Sequence, residues 1–528
     1  MAGKKSTEVT VSINPITRKK IGEFPVHTRT DFLEMLAKAR KAQTQWAELT
    51  VKERSKHIRK IRNYIVKNCD HLAEIIARET GKVRIDALAA ELLPAAIATH
   101  YNCKHAARFL AAKKARNSSW FLFYKRNQVV RVPWGVIGII SPWNYPFSIP
   151  FFQIIQALLA GNAVILKTAS NTQSVARALK EVISAAELPD GLFSCINIPG
   201  SKAGSVFLEG GINKLCFIGS AENGKWLMAK AAETLTPINL ELGGNDAMLV
   251  CEDADIHRAA SGAVWAGLSN AGQSCGGVER IYVQEGIYQA FLDVLKVKVE
   301  HLRVGYDSDS EYNIDIGGIT TEKQFKTVSK QIQDALAKGA RIWAQSNVAE
   351  DPNWHNLMPA TVLINVNHEM DVMRCETFGP ILAVMKVKNM DEAIRLANDS
   401  NFGLTASVWS KNHRKAIALA RQIKAGVLTI NDHLMSHGLP ETSWGGFKHS
   451  GMGRSHGQLG MEEMTQSQTI VNDIMPFVRK DLWWPPYGGT TYKGIRAIPD
   501  LLYGERLFGR LRSLFRVLRI FPRVFQSK

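Results

Sequence analysis

A carboxylate and a thiol that could act together lie 34 positions apart in this chain. The carboxylate is Glu241, within residues 239–245, and the thiol is Cys275, within residues 270–277; both runs are rich in glycine and other small residues. A thiolate is a strong nucleophile toward a carbonyl carbon, and a carboxylate can activate water to cleave the resulting thioester. Because most free cysteines are inert core residues, this prediction needs support from the surrounding motifs.

An asparagine between two prolines could stabilise an oxyanion. Residues 140–146 read Ile-Ser-Pro-Trp-Asn-Tyr-Pro, which places Asn144 between Pro142 and Pro146 in an apolar stretch. A preorganised amide N–H donor at this position suits a developing negative charge. Without a nucleophile nearby, the same residue would be an ordinary turn asparagine.

Two predicted strands end in residues that could bind a dinucleotide. Residues 215–225 predict a strand that passes through Gly219 and Ser220 into a helix, whose free N–H groups and dipole can hold a pyrophosphate. Lys167 ends the other strand and could reach an adenosine ribose or phosphate. Taken alone, each pattern also fits an ordinary capped βα turn or a solvated lysine.

A second carboxylate stands two residues from an aromatic ring, as Glu376 and Phe378 in the run 375–380. On an extended segment both side chains face the same side, which suits a grip on a ribose diol and a nicotinamide ring. An ordinary strand edge is the alternative. Trp444 opens a glycine-rich loop over residues 444–454.

The elements that would position these motifs alternate between helix and strand. Apolar residues at three- and four-residue spacing favour helices up to about residue 115, over 30–46, 51–68 and 70–78. Residues 136–250 favour parallel β-α-β units, the usual site of a dinucleotide, and a second α/β block follows Cys275. The fold class predicted is therefore α/β.

Between the helices and the first β-α-β unit, residues 120–132 favour a β-hairpin. Its strands would be residues 121–124 and 128–132, joined by Lys125-Arg-Asn. Such a hairpin needs a partner edge, which favours a homodimer or homotetramer.

Composition excludes several protein classes. The 528 residues are 45% hydrophobic and 22% charged, as in a globular protein. The seven cysteines form no Cys-x-x-Cys pair and are odd in number, so neither disulfides nor any metal site is expected. The start of the chain shows no apolar signal segment, which together with the cysteines favours the cytoplasm. The uncharged stretch between Arg131 and Lys167 holds four prolines, which argue against a membrane span.

Five motifs together resemble the aldehyde dehydrogenase superfamily over about residues 10–475. They are Pro-Trp-Asn (142–144), Glu-Leu-Gly-Gly-Asn (241–245), Gly-Gln-Ser-Cys (272–275), Glu-Thr-Phe-Gly-Pro (376–380) and Gly-Gly-Phe-Lys-x-Ser-Gly-x-Gly-Arg (445–454). The resemblance implies an aldehyde dehydrogenase-like fold of three parts, in which the predicted hairpin pairs with the late strand 466–471. The three parts are a Rossmann-type nucleotide-binding domain (1–114 and 134–243), an α/β catalytic domain (244–455) and a small β oligomerisation arm (115–133 and 456–475), followed by a basic amphipathic extension (476–528).

The resemblance also implies roles for individual residues. Cys275 matches the nucleophile, Glu241 the general base, and Asn144, with the backbone N–H of Cys275, the oxyanion donors. The cofactor, NAD or NADP, is expected to contact Trp143, Lys167, Ser170, Gly219, Ser220, Leu242, Glu376 and Phe378. The aldehyde substrate is expected to contact Tyr145, Ile149, Phe152 and Trp444.

One departure from the family pattern concerns the cofactor. Many members have Lys-Pro-x-Glu where this chain has Lys167-Thr-Ala-Ser170. The glutamate accepts hydrogen bonds from the adenosine ribose diol and would repel a 2′-phosphate, and Ser170 does neither. We therefore expect NADP to be accepted, and which of the two cofactors is preferred stays open.

The C-terminal tail is the second departure. Residues 479–528 hold eleven Lys or Arg and three Asp or Glu, so they supply +8 of the formal charge of +18. Apolar residues recur at three- and four-residue spacing beside a row of arginines, namely Leu507, Leu511, Leu514, Leu518 and Phe521 beside Arg512, Arg516, Arg519 and Arg523, downstream of Trp483, Trp484 and Tyr487. This predicts a helix over 501–521 lying on an anionic membrane, at its inner face. The alternative is a helix docked on the enzyme or on a sister subunit.

The predicted activity is oxidation of an aldehyde to its carboxylic acid. The expected substrate is apolar and of medium or long chain, because the mouth residues offer no cation for a carboxylated semialdehyde. A semialdehyde dehydrogenase for a small polar aldehyde is one alternative, and a non-catalytic membrane-bound relative is another. The motifs with Cys275 and Glu241 intact weigh against the latter. Nucleic-acid binding is not expected, because no Lys/Arg block is interleaved with aromatic residues outside the tail.

Overall fold

The computed structural model describes residues 8–308 and 311–526 of the chain. They divide into two compact units. The first holds the residues up to Ala111 together with Arg131–Gln466, and the second holds Ala112–Val130 together with the residues from Ser467 onward.

Strands and helices alternate along most of the chain. The strands are β1 (Val9–Ile13), β2 (Lys20–Pro25), β3 (Lys113–Ala115), β4 (Lys125–Pro133), β5 (Val136–Ile140), β6 (Ala163–Lys167), β7 (Phe193–Cys195), β8 (Lys214–Ile218), β9 (Ile238–Glu241), β10 (Asp246–Val250), β11 (Val278–Gln284), β12 (Arg303–Val304), β13 (Arg341–Gln345), β14 (Asn347–Val348), β15 (Thr361–Ile364), β16 (Ile381–Val387), β17 (Thr405–Trp409), β18 (Val427–Ile430), β19 (Gly451–Met452) and β20 (Thr465–Asp473). The α-helices are α1 (Arg29–Glu48), α2 (Val51–Lys67), α3 (Cys69–Thr80), α4 (Arg84–Ala87), α5 (Leu93–Phe109), α6 (Ser148–Leu159), α7 (Gln173–Ser184), α8 (Gly200–Gly210), α9 (Ala221–Ala232), α10 (Ile256–Leu268), α11 (Tyr288–Glu300), α12 (Glu322–Ala337), α13 (Met390–Asn398), α14 (His413–Ala420), α15 (Gly457–Glu463), α16 (Gly489–Tyr503) and α17 (Leu507–Ile520).

The first unit contains a six-stranded sheet in the order β19-β9-β8-β5-β6-β7. All of its pairs are parallel except β19 with β9. Every residue of β5, β6 and β8 is buried, as expected for strands covered on both faces. The chain passes from β5 to β6 on one side and returns to β8 on the other, so the carboxyl ends of β5 and β8 flank the crevice where such sheets bind ligands.

The same unit contains a seven-stranded sheet in the order β13-β15-β16-β11-β10-β17-β18, parallel except for β13 with β15. Cys275 lies just before β11, and Glu376 lies just before its neighbour β16. Because β11 and β16 are adjacent and parallel, the loops that carry the thiol and this carboxylate lie side by side. The predicted α/β class is confirmed.

The prediction that the chain begins with helices is wrong for its first described residues. β1 and β2 form an antiparallel pair there, because Val9, Val11 and Ile13 repeat at the two-residue spacing of a strand. The three predicted helices follow as α1, α2 and α3. Capping boxes at Thr28 and Thr50 start α1 and α2.

The second unit contains a three-stranded sheet in the order β20-β4-β3. The predicted pairing of the second hairpin strand with the late strand is confirmed, since β4 lies beside β20. The prediction of a first hairpin strand over residues 121–124 is wrong. Residues Trp120–Leu122 form a 3₁₀ turn, and the antiparallel partner of β4 is β3. The Asn117 side-chain amide donates to the carbonyl oxygens of Leu122 and Lys125 at 2.7 and 2.8 Å, so backbone groups that a strand would pair are satisfied within the turn.

The tail forms two helices instead of the single helix predicted over 501–521. Residues 504–506 are not helical and separate α16 from α17. The residues of α17 that are buried are Ser513, Val517 and Ile520, and the predicted stripe of leucines is not the buried face. A Cβ at Gly494 of α16 would lie 2.6 Å from Ile520 Cδ1, so glycine lets the two helices approach closely. No helix within residues 8–308 and 311–526 is long and apolar enough to cross a membrane.

Candidate active site

Loops at the carboxyl ends of β5, β8 and β9 surround a cavity of about 300 Å³ in the first unit. Its lining contains nine of the residues that the sequence singles out: Trp143, Asn144, Ile149, Gly219, Ser220, Glu241, Leu242, Glu376 and Phe378. Cys275 lines it as well. The structure therefore brings together, at one crevice, side chains from motifs up to 235 positions apart.

The loop before the thiol has a strained backbone. Asn270, Ala271 and Gly272 have φ values of 53°, 54° and 71°, all in the left-handed region. A Cβ at Gly272 would lie 2.0 Å from the carbonyl oxygen of Gly379, so only glycine allows the thiol loop to pass this close to the Glu376 loop. Strain held by surrounding structure is common at functional sites.

Glu241 ends β9 and is buried. Gln153 Nε2 of α6 donates to Glu241 Oε1 at 3.0 Å. Burial raises the pKa of Glu241 to about 6, against the opposing effect of hydrogen bonds from Ser455 and Gln153. A carboxylate with a pKa near neutrality is matched to proton transfer, so Glu241 has the acidity that a general base requires.

The thiol of Cys275 is surrounded by protein and by acids. Burial raises its pKa well above the ordinary value, and the charges of Glu376, Glu241 and Asp246 raise it further. No cation lowers it among the contributions from the described residues. Cys275 is therefore a neutral thiol in this structure and needs a base to become a nucleophile.

The Asn144 side chain lies in the cavity wall and is oriented by neighbouring loops. Its Nδ2 donates to the carbonyl oxygen of Gln273 at 3.1 Å. Its backbone oxygen accepts from Lys82 Nζ at 2.7 Å and from Asn270 Nδ2 at 3.0 Å. The amide group is thus held against the loop that precedes Cys275.

A buried ion pair that the sequence analysis missed supports this asparagine. Lys82 Nζ lies 2.5 Å from Glu91 Oε1, and neither side chain is exposed. Glu91 also accepts hydrogen bonds from the backbone N–H groups of Phe147 and Ser148. Both charged residues lie among the N-terminal helices, where the spacing of apolar residues gives no sign that they pair inside the protein.

Glu376 and Phe378 face the same cavity. Glu376 Oε1 accepts a hydrogen bond from the backbone N–H of Gly244 at 3.0 Å, and burial with the nearby Glu279 raises the pKa of Glu376 to about 8. The ring of Phe378 meets Trp143 edge to face at 5.5 Å. Glu279, also missed, accepts from the backbone N–H groups of Thr377 and Phe378 and so fixes this loop.

Lys167 is the last residue of β6 and Ser170 follows it; neither lines that cavity. Lys167 is buried, and burial lowers its pKa to about 8. No carboxylate pairs with it among the described residues. A Cβ at Gly200, the first residue of α8, would lie 3.6 Å from Lys167 Nζ, so the start of this helix approaches the ammonium group.

These features form a suitable site for a dinucleotide. The Ser220 hydroxyl caps the N-terminus of α9. This N-terminus follows β8, next to the point between β5 and β8 where the strand order of the first sheet reverses. Gly243 lies so near the Glu376 carboxylate that a Cβ would come within 2.3 Å of it. The buried ammonium of Lys167, which no described carboxylate pairs, could contact an adenosine phosphate, the N-terminus of α9 a pyrophosphate, and Glu376 a nicotinamide ribose.

Cys275 also lines a second cavity, of about 250 Å³. Tyr145, Ile149 and Trp444, which the sequence analysis expects to contact the substrate, line it. The prediction for Phe152 is wrong: its ring packs behind the wall against His456 at 4.3 Å and His437 at 5.4 Å. α6 is buried all round, so its spacing of apolar residues does not distinguish the side of the helix that faces the cavity.

The rim of this second cavity is apolar and exposed. Leu93, Ile97, Trp265 and Met435 line it and are each between 43 and 57% exposed. Burial lowers the pKa of His437 in its wall to about 4, so this histidine is neutral, and no described lining residue carries a positive charge. Exposed apolar groups around an opening are typical of a binding site for an apolar ligand.

The family model described as "Aldehyde dehydrogenase family" matches residues 2–470. The chain belongs to the aldehyde dehydrogenase family. A 4,4'-diapolycopene aldehyde oxidase of Methylomonas sp. is 36% identical over 494 residues, which cover 94% of this chain and 91% of that protein. The resemblance seen in the sequence is thus confirmed, and so is the class of oxidoreductase.

Solved structures of aldehyde dehydrogenases have the same fold. A succinate-semialdehyde dehydrogenase from Burkholderia pseudomallei has a TM-score of 0.83 and 30% identity, over 88% of this chain and 95% of its own. A betaine aldehyde dehydrogenase from Staphylococcus aureus, solved with NAD⁺, has a TM-score of 0.84 and 28% identity, over 91% of this chain and 96% of its own.

Proposed function

We propose that this aldehyde dehydrogenase oxidises an apolar aldehyde of medium or long chain to its carboxylic acid, with NAD or NADP as electron acceptor. The proposal rests on the position of Cys275, which lines both cavities. One is apolar with an exposed rim, and the other holds Glu241 and the dinucleotide site. A thiol between them can meet an aldehyde from one side and a nicotinamide from the other.

The residues divide the chemistry among them. Glu241 takes the proton of the Cys275 thiol, and the sulfur adds to the aldehyde carbon to give a thiohemiacetal. The Asn144 side-chain amide and the backbone N–H of Cys275 stabilise its oxyanion. The nicotinamide, when bound, would accept the hydride whose loss leaves a thioester on Cys275.

Hydrolysis then regenerates the thiol. After Glu241 has returned its proton to solvent, it removes a proton from the water that attacks the thioester carbonyl. The C–S bond breaks, the acid leaves and the sulfur is protonated again. A pKa of about 6 suits both steps, because Glu241 is mostly ionised at neutral pH and accepts a proton readily.

The cofactor would lie across the carboxyl ends of the first sheet. Lys167 would contact the adenosine ribose or its phosphate, Gly219 and Ser220 the pyrophosphate, and Glu376 the nicotinamide ribose, with Trp143, Leu242 and Phe378 around it. Ser170 places no negative charge beside Lys167, so we propose that NADP is accepted as well as NAD. The unpaired ammonium of Lys167 would gain a partner in the 2′-phosphate.

The relatives are named for different substrates, and the second cavity favours an uncharged aldehyde over one that carries a carboxylate. Succinate semialdehyde carries a carboxylate, for which this cavity has no positively charged lining residue among those described. The Methylomonas relative is named for the aldehyde of 4,4'-diapolycopene. An aldehyde without an ionised group fits the exposed apolar rim better.

We assign the larger parts of the chain in the same way. The first sheet would bind the nucleotide and the second would carry Cys275, as the predicted ranges 1–114 with 134–243 and 244–455 propose. The small sheet of the second unit would serve oligomerisation to a dimer or tetramer, since β3 is an exposed edge strand. The seven free cysteines suit a reducing compartment such as the cytoplasm.

Purified protein tests the reaction directly. Reduced cofactor is followed after addition of hexanal, decanal or succinate semialdehyde to wild type, Cys275→Ala and the control Cys69→Ala. We expect no turnover only in Cys275→Ala, and kcat/KM that rises with chain length and is lowest for succinate semialdehyde. Wild-type rates in Cys275→Ala would refute the covalent mechanism, and a preference for succinate semialdehyde would establish the alternative substrate class.

A further inference from the structure

The outer face of α17 in the second unit is apolar and largely exposed. Five large side chains lie on it, of which Phe508 is 88% and Phe515 71% exposed; the others are Leu507, Leu511 and Leu518. At 3.6 residues per turn they cover an arc of about 100°. The face of the helix that packs against its neighbours, with Ser513, Val517 and Ile520, lies on the opposite side.

An apolar cavity of about 210 Å³ extends this face within the second unit. Its lining includes Trp120 and Phe123 from the arm and Leu518 and Phe521 from the tail. All four of these side chains are also about half exposed or more. The unit thus presents a continuous set of apolar and aromatic groups where a monomeric soluble protein normally has scattered ones.

A row of arginines borders the apolar arc. Arg512, Arg516 and Arg519 lie on the neighbouring arc of α17 and are exposed. No acid pairs with any of the three among the described residues. Arg523, which the sequence places in the same row, is instead bonded within the tail, to the carbonyl oxygen of Pro486 among others. The available charge is therefore that of three arginines beside five apolar side chains.

We propose that this face, defined by the five apolar residues of α17 and the three arginines, binds the surface of an anionic lipid bilayer. The apolar groups would enter the acyl region, the arginines would meet headgroup phosphates, and the cavity would take part of an acyl chain. Since residues 479–528 carry a net charge of +8, a second copy of the same face would be repelled. Three of the five apolar side chains are leucines, which do not stack on bases, so the face suits a bilayer better than single-stranded nucleic acid.

Flotation of the full-length protein with vesicles tests this binding. Vesicles of phosphatidylcholine with phosphatidylglycerol are compared with phosphatidylcholine alone, at low and high salt. Two variants probe the face: Phe508→Ser with Phe515→Ser, and the triple change of Arg512, Arg516 and Arg519 to Gln. The matched control changes three exposed arginines of the first unit, Arg341, Arg414 and Arg421, to Gln; none of them forms an ion pair within the described part of the chain.

We expect wild type and control to float with anionic vesicles, more weakly in salt. Each basic side chain near an anionic surface contributes about fivefold to binding, so the triple variant of the tail should lose at least about tenfold, and the phenylalanine variant a similar factor. Equal recovery with neutral vesicles, or equal loss in the control, would overturn the proposal.

Two other occupants give different results. If the face joins copies of the chain, the phenylalanine variant changes the mass measured by light scattering and leaves flotation unchanged, which refutes lipid binding. Retention on a nucleic-acid column that only the tail triple variant loses, without flotation, refutes it too. Oxidation of hexanal in solution, measured on every variant, tests the proposed function separately, because none of these residues lines the Cys275 cavities.

Discussion

Replacing Glu241 by Gln should make the protein more stable while it stops turnover. Glu241 is buried at the end of β9, and burial is the largest cause of its raised pKa. A group with a raised carboxyl pKa destabilises the fold whenever it is ionised, because the folded state favours the proton more than the unfolded state does. Glutamine has the same shape, can accept the hydrogen bond from Gln153, and carries no charge.

The size of the effect follows from the pKa. A change from 4.5 to about 6 corresponds to about 2 kcal/mol, since one pKa unit is about 1.4 kcal/mol. Between these two pH values the folded state binds more protons than the unfolded state, so the contribution of Glu241 to stability is lost as the pH rises. Above about pH 7 the ionised carboxylate carries nearly its whole cost, and below about pH 4 it carries almost none.

Urea denaturation at about pH 8 and about pH 4 measures this difference. We expect Glu241→Gln to raise the free energy of unfolding by about 2 kcal/mol at the higher pH and to change it little at the lower. In the same preparations, neither a burst of reduced cofactor nor turnover should appear, because the Cys275 thiol lacks the base that removes its proton. Equal stability at about pH 8, or steady turnover at the wild-type rate, would refute the assignment of Glu241 as a buried, ionised base.

Two further substitutions test the cofactor site and the support of Asn144. Ser170→Glu should shift the ratio of kcat/KM for NAD over NADP upward by about tenfold, because the negative charge it adds repels the 2′-phosphate; an unchanged ratio would place that phosphate elsewhere. Lys82→Met should lower the free energy of unfolding by about 3 kcal/mol or more, since it leaves Glu91 buried without its cation, and the double variant with Glu91→Leu should recover part of this loss in urea denaturation. A single variant as stable as wild type would contradict the buried pair.

The motifs that the sequence makes visible are those at the ends of strands. Asn144, Gly219 and Glu241 each follow a short run of β-forming residues, so their meeting at one crevice follows from parallel strand order. Short-range patterns therefore predict the centre of the site. Lys82 contacts Asn144, 62 positions away, and Glu279 contacts Thr377, 98 positions away. Contacts between residues so far apart produce no short-range sequence pattern from which they could be predicted.

Local sequence preference also predicts the wrong structure where contacts from elsewhere in the chain determine it. Residues 121–124 are aromatic and apolar, which favours a strand, but hydrogen bonds from Asn117 hold a 3₁₀ turn. In α17, leucines and valine or isoleucine repeat at the same helical spacing on two different arcs. The sequence alone shows the leucine stripe as the more hydrophobic, whereas the close approach permitted by Gly494 buries the other face.

The acids near the Cys275 thiol affect which redox state of the cofactor the site should favour. Glu241, Glu376 and Asp246 each raise the pKa of Cys275, and the pKa of Glu376 is itself raised to about 8 by burial and by Glu279 and Asp246. A positive charge in the cavity would lower both pKa values together, since it favours the thiolate and the carboxylate alike. The ring of an oxidised nicotinamide is cationic and that of a reduced one is neutral. We therefore expect the oxidised cofactor to bind more tightly than the reduced one, and its binding to lower the pKa of Cys275.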